Sequence, residues 1–208
     1  MSVATYRALI IADSPAAFWT LAETSGTTAD DAIGSNDGTA QGGLTMGGAD
    51  GPLQSVTDKA PDFDGSNDYI STAYSPFTNG SILTLEGWAY RDVSTSQHTL
   101  VGSAAASNHV LLILNSGNQN VRFFPDSGGA DTSWAAAWPG NTTWTHWALI
   151  FDETASTAEL FINGVSKGSQ AQAAQYNASP GNFKIGSYET NTDPFDGKQA
   201  KIAVYEAG

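Results

Sequence analysis

Residues 142–165 read TTWTHWALIFDETASTAELFINGV and contain two strand-like segments followed by a tight turn. The first segment covers residues 144–152 and the second begins at residue 157; turn-forming residues flank both, which is typical of strands. In the second segment apolar and polar side chains alternate, as they do when one face of a sheet lies in water. Asn163-Gly164 supplies the two positive-φ positions of a type I′ turn, so the stretch predicts an antiparallel hairpin.

The rest of the chain repeats this pattern. About ten short strand-like segments are separated by turns rich in Gly, Asn and Asp, with no helices between them. Charged residues make up only 14% of the 208 residues and 22 are glycines, a composition that favours many short strands over a helical bundle. We expect one all-β domain over residues 16–208, folded as a two-sheet antiparallel β-sandwich or jelly roll.

Residues 1–15 have a different pattern. Tyr6, Leu9 and Ile10 lie at helical spacing, and Asp-Ser-Pro at residues 13–15 ends that spacing, which predicts a short N-terminal helix. This helix either packs against the domain or serves as a docking arm in a larger assembly. Its apolar run is too short for a signal peptide or a membrane span, so we expect cytosolic synthesis and no membrane partner.

Charge and cysteine content exclude several classes of function. The chain has 8 basic and 21 acidic residues, a formal net charge of −13, which would repel a phosphate backbone. Nucleic acid is therefore not an expected partner. Because there is no cysteine, disulfides, thiolate nucleophiles and zinc–sulfur sites are excluded as well.

Five stretches follow one another along the chain: AFWTLAETSGTTADDAIGSNDGT, PDFDGSNDYIST, LTLEGWAYR, TTWTHWALIFDETASTAELFINGV and FKIGS with FDGKQAKIAVYEA. In this order they resemble the concanavalin A-like, laminin-G-like jelly-roll superfamily. The resemblance implies two antiparallel sheets in which the last strand returns beside the first. The opening stretch, YRALIIADSPAAFWTLAE, is more particularly similar to bacteriophage virion proteins that carry such a domain near their N-terminus.

The same resemblance implies which aromatic residues fill the core. Burying such a ring stabilises a fold by roughly 2 to 3 kcal/mol, so core packing alone accounts for their presence. The implied core or near-core residues are Trp19, Phe63, Trp88, Trp144, Phe161 and Tyr205.

No catalytic motif accompanies these stretches. Glycanases of this superfold need two carboxylates across a cleft, and the Glu-x-Asp-x-x-Glu pattern of the laminarinase-type enzymes is absent, with Glu86 followed by no acidic residue two positions on. His98, His109 and His146 have no partner motif, and we expect them to be structural. The sequence therefore predicts a protein that is not an enzyme.

One loop offers oxygen ligands for calcium. Asp30, Asp31, Asn36 and Asp37 lie in the turn-rich segment DDAIGSNDGT, and related domains often bind calcium near this loop. In those domains an acidic residue on the last strand helps, whereas here Ala200 occupies that position. The expected cofactor is therefore none or calcium, with turn formation as the alternative role for the four residues.

Two tryptophans have no clear counterpart in the family. Trp144 and Trp147 belong to a strand and point to opposite faces. Trp134 and Trp138 lie on the connection before it, and three roles remain open for them: packing under the loop, a protein interface or stacking on a sugar.

These observations favour a noncatalytic virion surface component of a bacteriophage, such as a capsid decoration, neck or tail protein, that adsorbs to glycans. Its expected partners are other virion proteins and polysaccharide, with a homo-oligomer left open. The alternative is a carbohydrate-binding module of a bacterial cell-surface or secreted protein, and a glycan-cleaving enzyme is the third hypothesis.

Overall fold

The computed structural model describes residues 1–53, 57–77, 82–105, 108–125, 131–172, 181–189 and 192–207. These residues form one helix and short antiparallel strands. In chain order the elements are α1 (Val3–Ala12), β1 (Ala17–Trp19), β2 (Thr28–Ala29), β3 (Gly38–Gln41), β4 (Ala49–Asp50), β5 (Lys59–Ala60), β6 (Asp62–Asp64), β7 (Tyr69–Thr72), β8 (Ile82–Arg91), β9 (His98–Ala105), β10 (Asn108–Leu114), β11 (Val121–Phe124), β12 (Thr132–Trp134), β13 (Thr145–Asp152), β14 (Thr157–Ile162), β15 (Val165–Ala171), β16 (Lys184–Ile185) and β17 (Asp196–Ala207).

Two sheets build the sandwich, as the sequence predicts. Sheet 1 has the strand order β1-β17-β8-β13-β14-β15, with β6 also paired to β17. Sheet 2 has the order β12-β11-β10-β9-β16-β7-β3-β2, and β4 and β5 form a separate ribbon. The last strand, β17, pairs with β1 in the antiparallel sense, so the expected return of the last strand beside the first is confirmed.

The core lies between the two sheets. Along β13 every second side chain is buried, beginning with Thr145 and continuing through Trp147, Leu149 and Phe151. Phe151 meets Phe123 of sheet 2 with 5.1 Å between ring centroids. Such contacts remove large apolar surfaces from water, and this burial is the main stabilising contribution to the sandwich.

The N-terminal helix forms where the sequence predicts it and packs on sheet 1. The Ser2 hydroxyl accepts a hydrogen bond from the Thr5 backbone N–H at 3.1 Å, which caps the helix N-terminus. Ile10 is buried in a small cluster with Phe18 and Ala203. In the described part of the chain, no helix is long and apolar enough to cross a membrane.

The positions implied for core aromatic residues need a partial correction. Trp19 and Phe63 are buried as expected. The other four, Trp88, Trp144, Phe161 and Tyr205, lie half-buried on the outer face of sheet 1. The reason is strand alternation, because their neighbours along the strands already fill the inner face.

Candidate functional site

Trp134 and Trp138 are buried. Trp134 is 3% exposed, and its indole N–H donates to the Gly168 carbonyl at 2.8 Å. Trp138 is 1% exposed and belongs to the same core cluster. A ring without an exposed face cannot stack on a sugar, so the burial of both rings favours the packing role over the interface and glycan roles.

The predicted calcium loop is organised around the Asp31 carboxylate. Its Oδ1 accepts the backbone N–H groups of Phe18 and Ile33, each at 3.0 Å. Its Oδ2 accepts the backbone and side-chain N–H groups of Asn36 at 3.2 and 3.1 Å. Burial raises the pKa of Asp31, but these donors outweigh burial and leave that pKa below its usual value. Four donors fill the roughly four lone-pair positions of a carboxylate.

The remaining three predicted ligands either face solvent or make hydrogen bonds within and beside the loop. Asp30 is exposed, and its backbone N–H donates to Glu23. Asp37 accepts the backbone N–H of Asp31 through Oδ1 at 2.8 Å, and the Asn36 carbonyl accepts the Trp19 indole N–H. Across the described residues, no group of three or more His, Asp or Glu could hold a metal ion. The hydrogen bonds of these residues support the turn-forming role, and the calcium site stays a prediction from the sequence.

A cleft of about 180 Å³ opens on the outer face of sheet 2. Its floor consists of Leu111 and Ile113, which point from β10 away from the core between the sheets. Phe124 pairs directly with Leu111 across β10 and β11, so the two side chains share a face. We call this cavity the ring-lined cleft. Its lining residues are Gln97, His109, Leu111, Ile113, Phe124, Tyr188 and Asp193.

Aromatic rings and polar groups surround this aliphatic floor. The rings of His109 and Tyr188 lie 5.2 Å apart at 51°. Gln97 donates to the Asn115 side chain at 3.3 Å, which orients its amide. The Asp193 carbonyl accepts the Thr99 backbone N–H at 2.8 Å, which ties the loop that carries Asp193 to β9.

Two basic residues contact the aromatic walls, one at a ring and one at the backbone. The guanidinium of Arg122 lies 4.5 Å from the centre of the Phe124 ring and forms a 2.6 Å ion pair with Asp131. Lys184 donates to the Tyr188 carbonyl at 3.0 Å. Walls fixed in this way lose little conformational freedom when a ligand binds.

The cleft combines an apolar floor and rings with a few hydrogen-bonding groups, which is the usual composition of a small-molecule site. None of its residues was predicted as a ligand contact, and His109 was expected to be structural. The cleft residues come from separate segments that only the fold brings together. One signal was available: the run HVLLILN is apolar on both faces, which indicates that side chains also cover the outer face of β10.

The outer face of sheet 1 also carries aromatic and polar residues, but they contact one another. Glu86 accepts the Tyr205 hydroxyl at 2.6 Å and lies 3.2 Å from Nε2 of His146. The Trp88 indole N–H donates to the Tyr6 hydroxyl of α1 at 3.1 Å. These groups fasten the helix to the sheet, so we place the candidate site on sheet 2.

Structural comparison finds relatives that share the fold. Domain 4 of AbnA, a GH43 extracellular arabinanase from Geobacillus stearothermophilus in complex with arabinotriose, has a TM-score of 0.71 and 18% identity, covering 93% of this chain and 92% of that one. The CBM40 of the Ruminococcus gnavus IT-sialidase, bound to α2,3 sialyllactose, has a TM-score of 0.51 and 18% identity, covering 60% and 75%. The botulinum neurotoxin serotype D binding domain has a TM-score of 0.63 and 14% identity, covering 93% and 48%.

Sequence comparison places the chain in a family. A search of curated proteins finds no match. The profile described as the concanavalin A-like lectin/glucanases superfamily matches residues 64–207, from β6 to the end of β17. Because the match covers more than half of the chain, the protein belongs to the Laminin_G_3 family of the concanavalin A-like lectin/glucanase superfamily.

Proposed function

We propose that the protein is a noncatalytic carbohydrate-binding domain and that the ring-lined cleft is its glycan site. The observation that carries this proposal is the arrangement of Phe124, Tyr188 and His109 around an aliphatic floor, with Gln97 and Asp193 among the lining residues. Sugar rings present apolar C–H faces and hydroxyl edges, so they need ring contacts and hydrogen-bonding partners in one cleft.

The structural relatives support a glycan ligand of this kind. Domain 4 of AbnA is described in complex with arabinotriose, and the CBM40 of the sialidase is described with sialyllactose. These relatives resemble this chain in fold, and the residues that line the cleft are the main support for a glycan ligand.

The number of carboxylates in the cleft favours glycan binding over glycan cleavage. Glycoside hydrolysis requires two carboxyl groups flanking the scissile bond. Among the described lining residues, Asp193 is the only carboxylate. The cleft can therefore hold a sugar without the acid and base pair that breaks a glycosidic bond.

The test is glycan binding by variants of the cleft walls. Tyr188→Ala and Phe124→Ala should each weaken binding about tenfold or more, measured by glycan array and calorimetry, because each removes a stacking surface. Tyr90→Ala is the matched control, since Tyr90 lies half-buried on the outer face of sheet 1. Equal losses in all three variants, or no glycan bound by the unchanged protein, would contradict the proposal.

A virion location remains a prediction from the opening stretch of the sequence. The structural relatives add no support for it, whereas they do agree with a glycan-binding module. Electron microscopy of purified particles carrying the tagged protein is the direct measurement.

A further inference from the structure

Asp193 is the one carboxylate among the described residues that line the ring-lined cleft. Asp193 places a carboxylate among the lining residues, and in the described structure it forms no ion pair within 4.0 Å. Burial raises the pKa of Asp193. The loop is held in register by the backbone contact between Asp193 and Thr99.

The two basic side chains that contact the cleft walls are engaged with other groups. Arg122 already forms its 2.6 Å ion pair with Asp131, so the two together are neutral. Lys184 donates to the Tyr188 carbonyl, and burial lowers its pKa, an effect that the negative charge of Glu189 partly opposes. Neither residue lines the cleft.

We propose that Asp193 makes the ring-lined cleft selective for glycans without acidic groups, so that neutral sugars or amino sugars bind and carboxylated sugars are rejected. This inference rests on the proposed glycan-binding function and names the class of sugar. This selectivity would differ from that of the structural relative described with sialyllactose, which is a carboxylated glycan.

Coulomb repulsion is large enough to produce such selectivity. Two negative charges about 5 Å apart at the rim of a protein site weaken binding by about tenfold or more, depending on the effective dielectric constant. The net charge of −13 acts in the same direction but over longer distances, where salt screens it. A local effect of Asp193 can therefore be separated from the general charge of the protein.

The Asp193→Asn variant isolates this local effect. Asn keeps one carbonyl acceptor for a sugar hydroxyl and removes the charge. It also suits the backbone, because Asp193 has a φ of 45° and Asn tolerates the left-handed region. The control is Glu159→Gln, which removes the same unit of charge from the outer face of sheet 1.

The experiment compares neutral glycans with their carboxylated counterparts on one array, including lactose against 3′-sialyllactose, followed by calorimetry on the tightest pair. We expect the unchanged protein and Glu159→Gln to prefer the neutral member by about tenfold or more, and Asp193→Asn to lose about tenfold of that preference. Glycan binding without this preference, or a preference that Asp193→Asn leaves intact, overturns the inference but not the proposed function. Failure to bind any glycan overturns both.

Discussion

Arg91, at the end of β8, donates its Nε–H to Nδ1 of His98, at the start of β9, over 3.2 Å, and both side chains are buried. Since Nδ1 accepts this bond, the imidazole proton lies on Nε2, 2.9 Å from the Ser96 hydroxyl. Arg91 also donates through Nη2 to the carbonyls of Ser96 and Asn115, each at 2.9 Å. The network therefore ties the end of β8 to the open end of the β9–β10 hairpin, where His98 pairs with Leu114, and it requires a neutral histidine.

The first prediction follows from this neutral His98. Burial, and secondarily the charge of Arg91, lower the pKa of His98 to about 4. In the unfolded chain the pKa returns to about 6.5, so the unfolded state binds more protons between these values. The free energy of unfolding should therefore fall as pH drops from about 6.5 to about 4, by on the order of 3 kcal/mol, and chemical denaturation across this range measures it.

The variant His98→Asn provides the control for this prediction. Asn retains an acceptor for Arg91 but does not titrate, so its stability should be lower near pH 7 and change less on acidification. If His98→Asn shows the same pH dependence as the unchanged protein, His98 is not the titrating group.

The second prediction concerns the two classes of tryptophan. Trp138→Ala should lower the free energy of unfolding by about 3 to 5 kcal/mol, because it leaves a large cavity in the core. Trp144→Ala, at a half-buried position outside the sandwich, should cost markedly less. Urea denaturation followed by circular dichroism compares them, and equal costs would contradict the burial of Trp138.

The tryptophans at the start of β13 also show how much of the structure can be predicted from the sequence. Alternation along the strand correctly predicts that Trp144 and Trp147 point to opposite faces, yet it carries no information about which face is inside. The hairpin and the two-sheet architecture were predictable, because they depend on turns and local patterns. The ring-lined cleft was not, since it depends on the register of β10 with β11 and on the loop that brings Tyr188 and Asp193 over them.

The third prediction concerns the Asp31 loop. Asp31→Ala removes the acceptor of several backbone N–H groups at once and should lower the free energy of unfolding by about 2 kcal/mol or more. Asp30→Ala is the matched control, because Asp30 is exposed and its removal should change stability by about 0.5 kcal/mol at most. Thermal unfolding of both variants makes the comparison, and a similar loss in the two would contradict the loop geometry.

The fourth prediction is that calcium leaves this loop unchanged. A bound ion would stabilise the fold by about 2.7 kcal/mol at a concentration of 100 times its Kd. Because the Asp31 oxygens are already occupied by N–H donors, we expect the same melting temperature in millimolar calcium and in chelator. A melting temperature that is higher in calcium than in chelator, with no such difference in Asp31→Ala, would show that the loop rearranges to bind the ion.

The fifth prediction separates a packed N-terminal helix from a free docking arm. Ile10 is 8% exposed and contacts the sheet, whereas Leu9, one residue earlier on α1, is 53% exposed. Ile10→Ala should therefore lower the free energy of unfolding by about 2 kcal/mol or more, while Leu9→Ala should change it by about 0.5 kcal/mol at most. Neither substitution weakens helix propensity, since Ala is the strongest helix former, so a loss of stability reports packing. If both variants unfold at the same urea concentration as the unchanged protein, α1 is detached in solution and its apolar side chains are available to a partner.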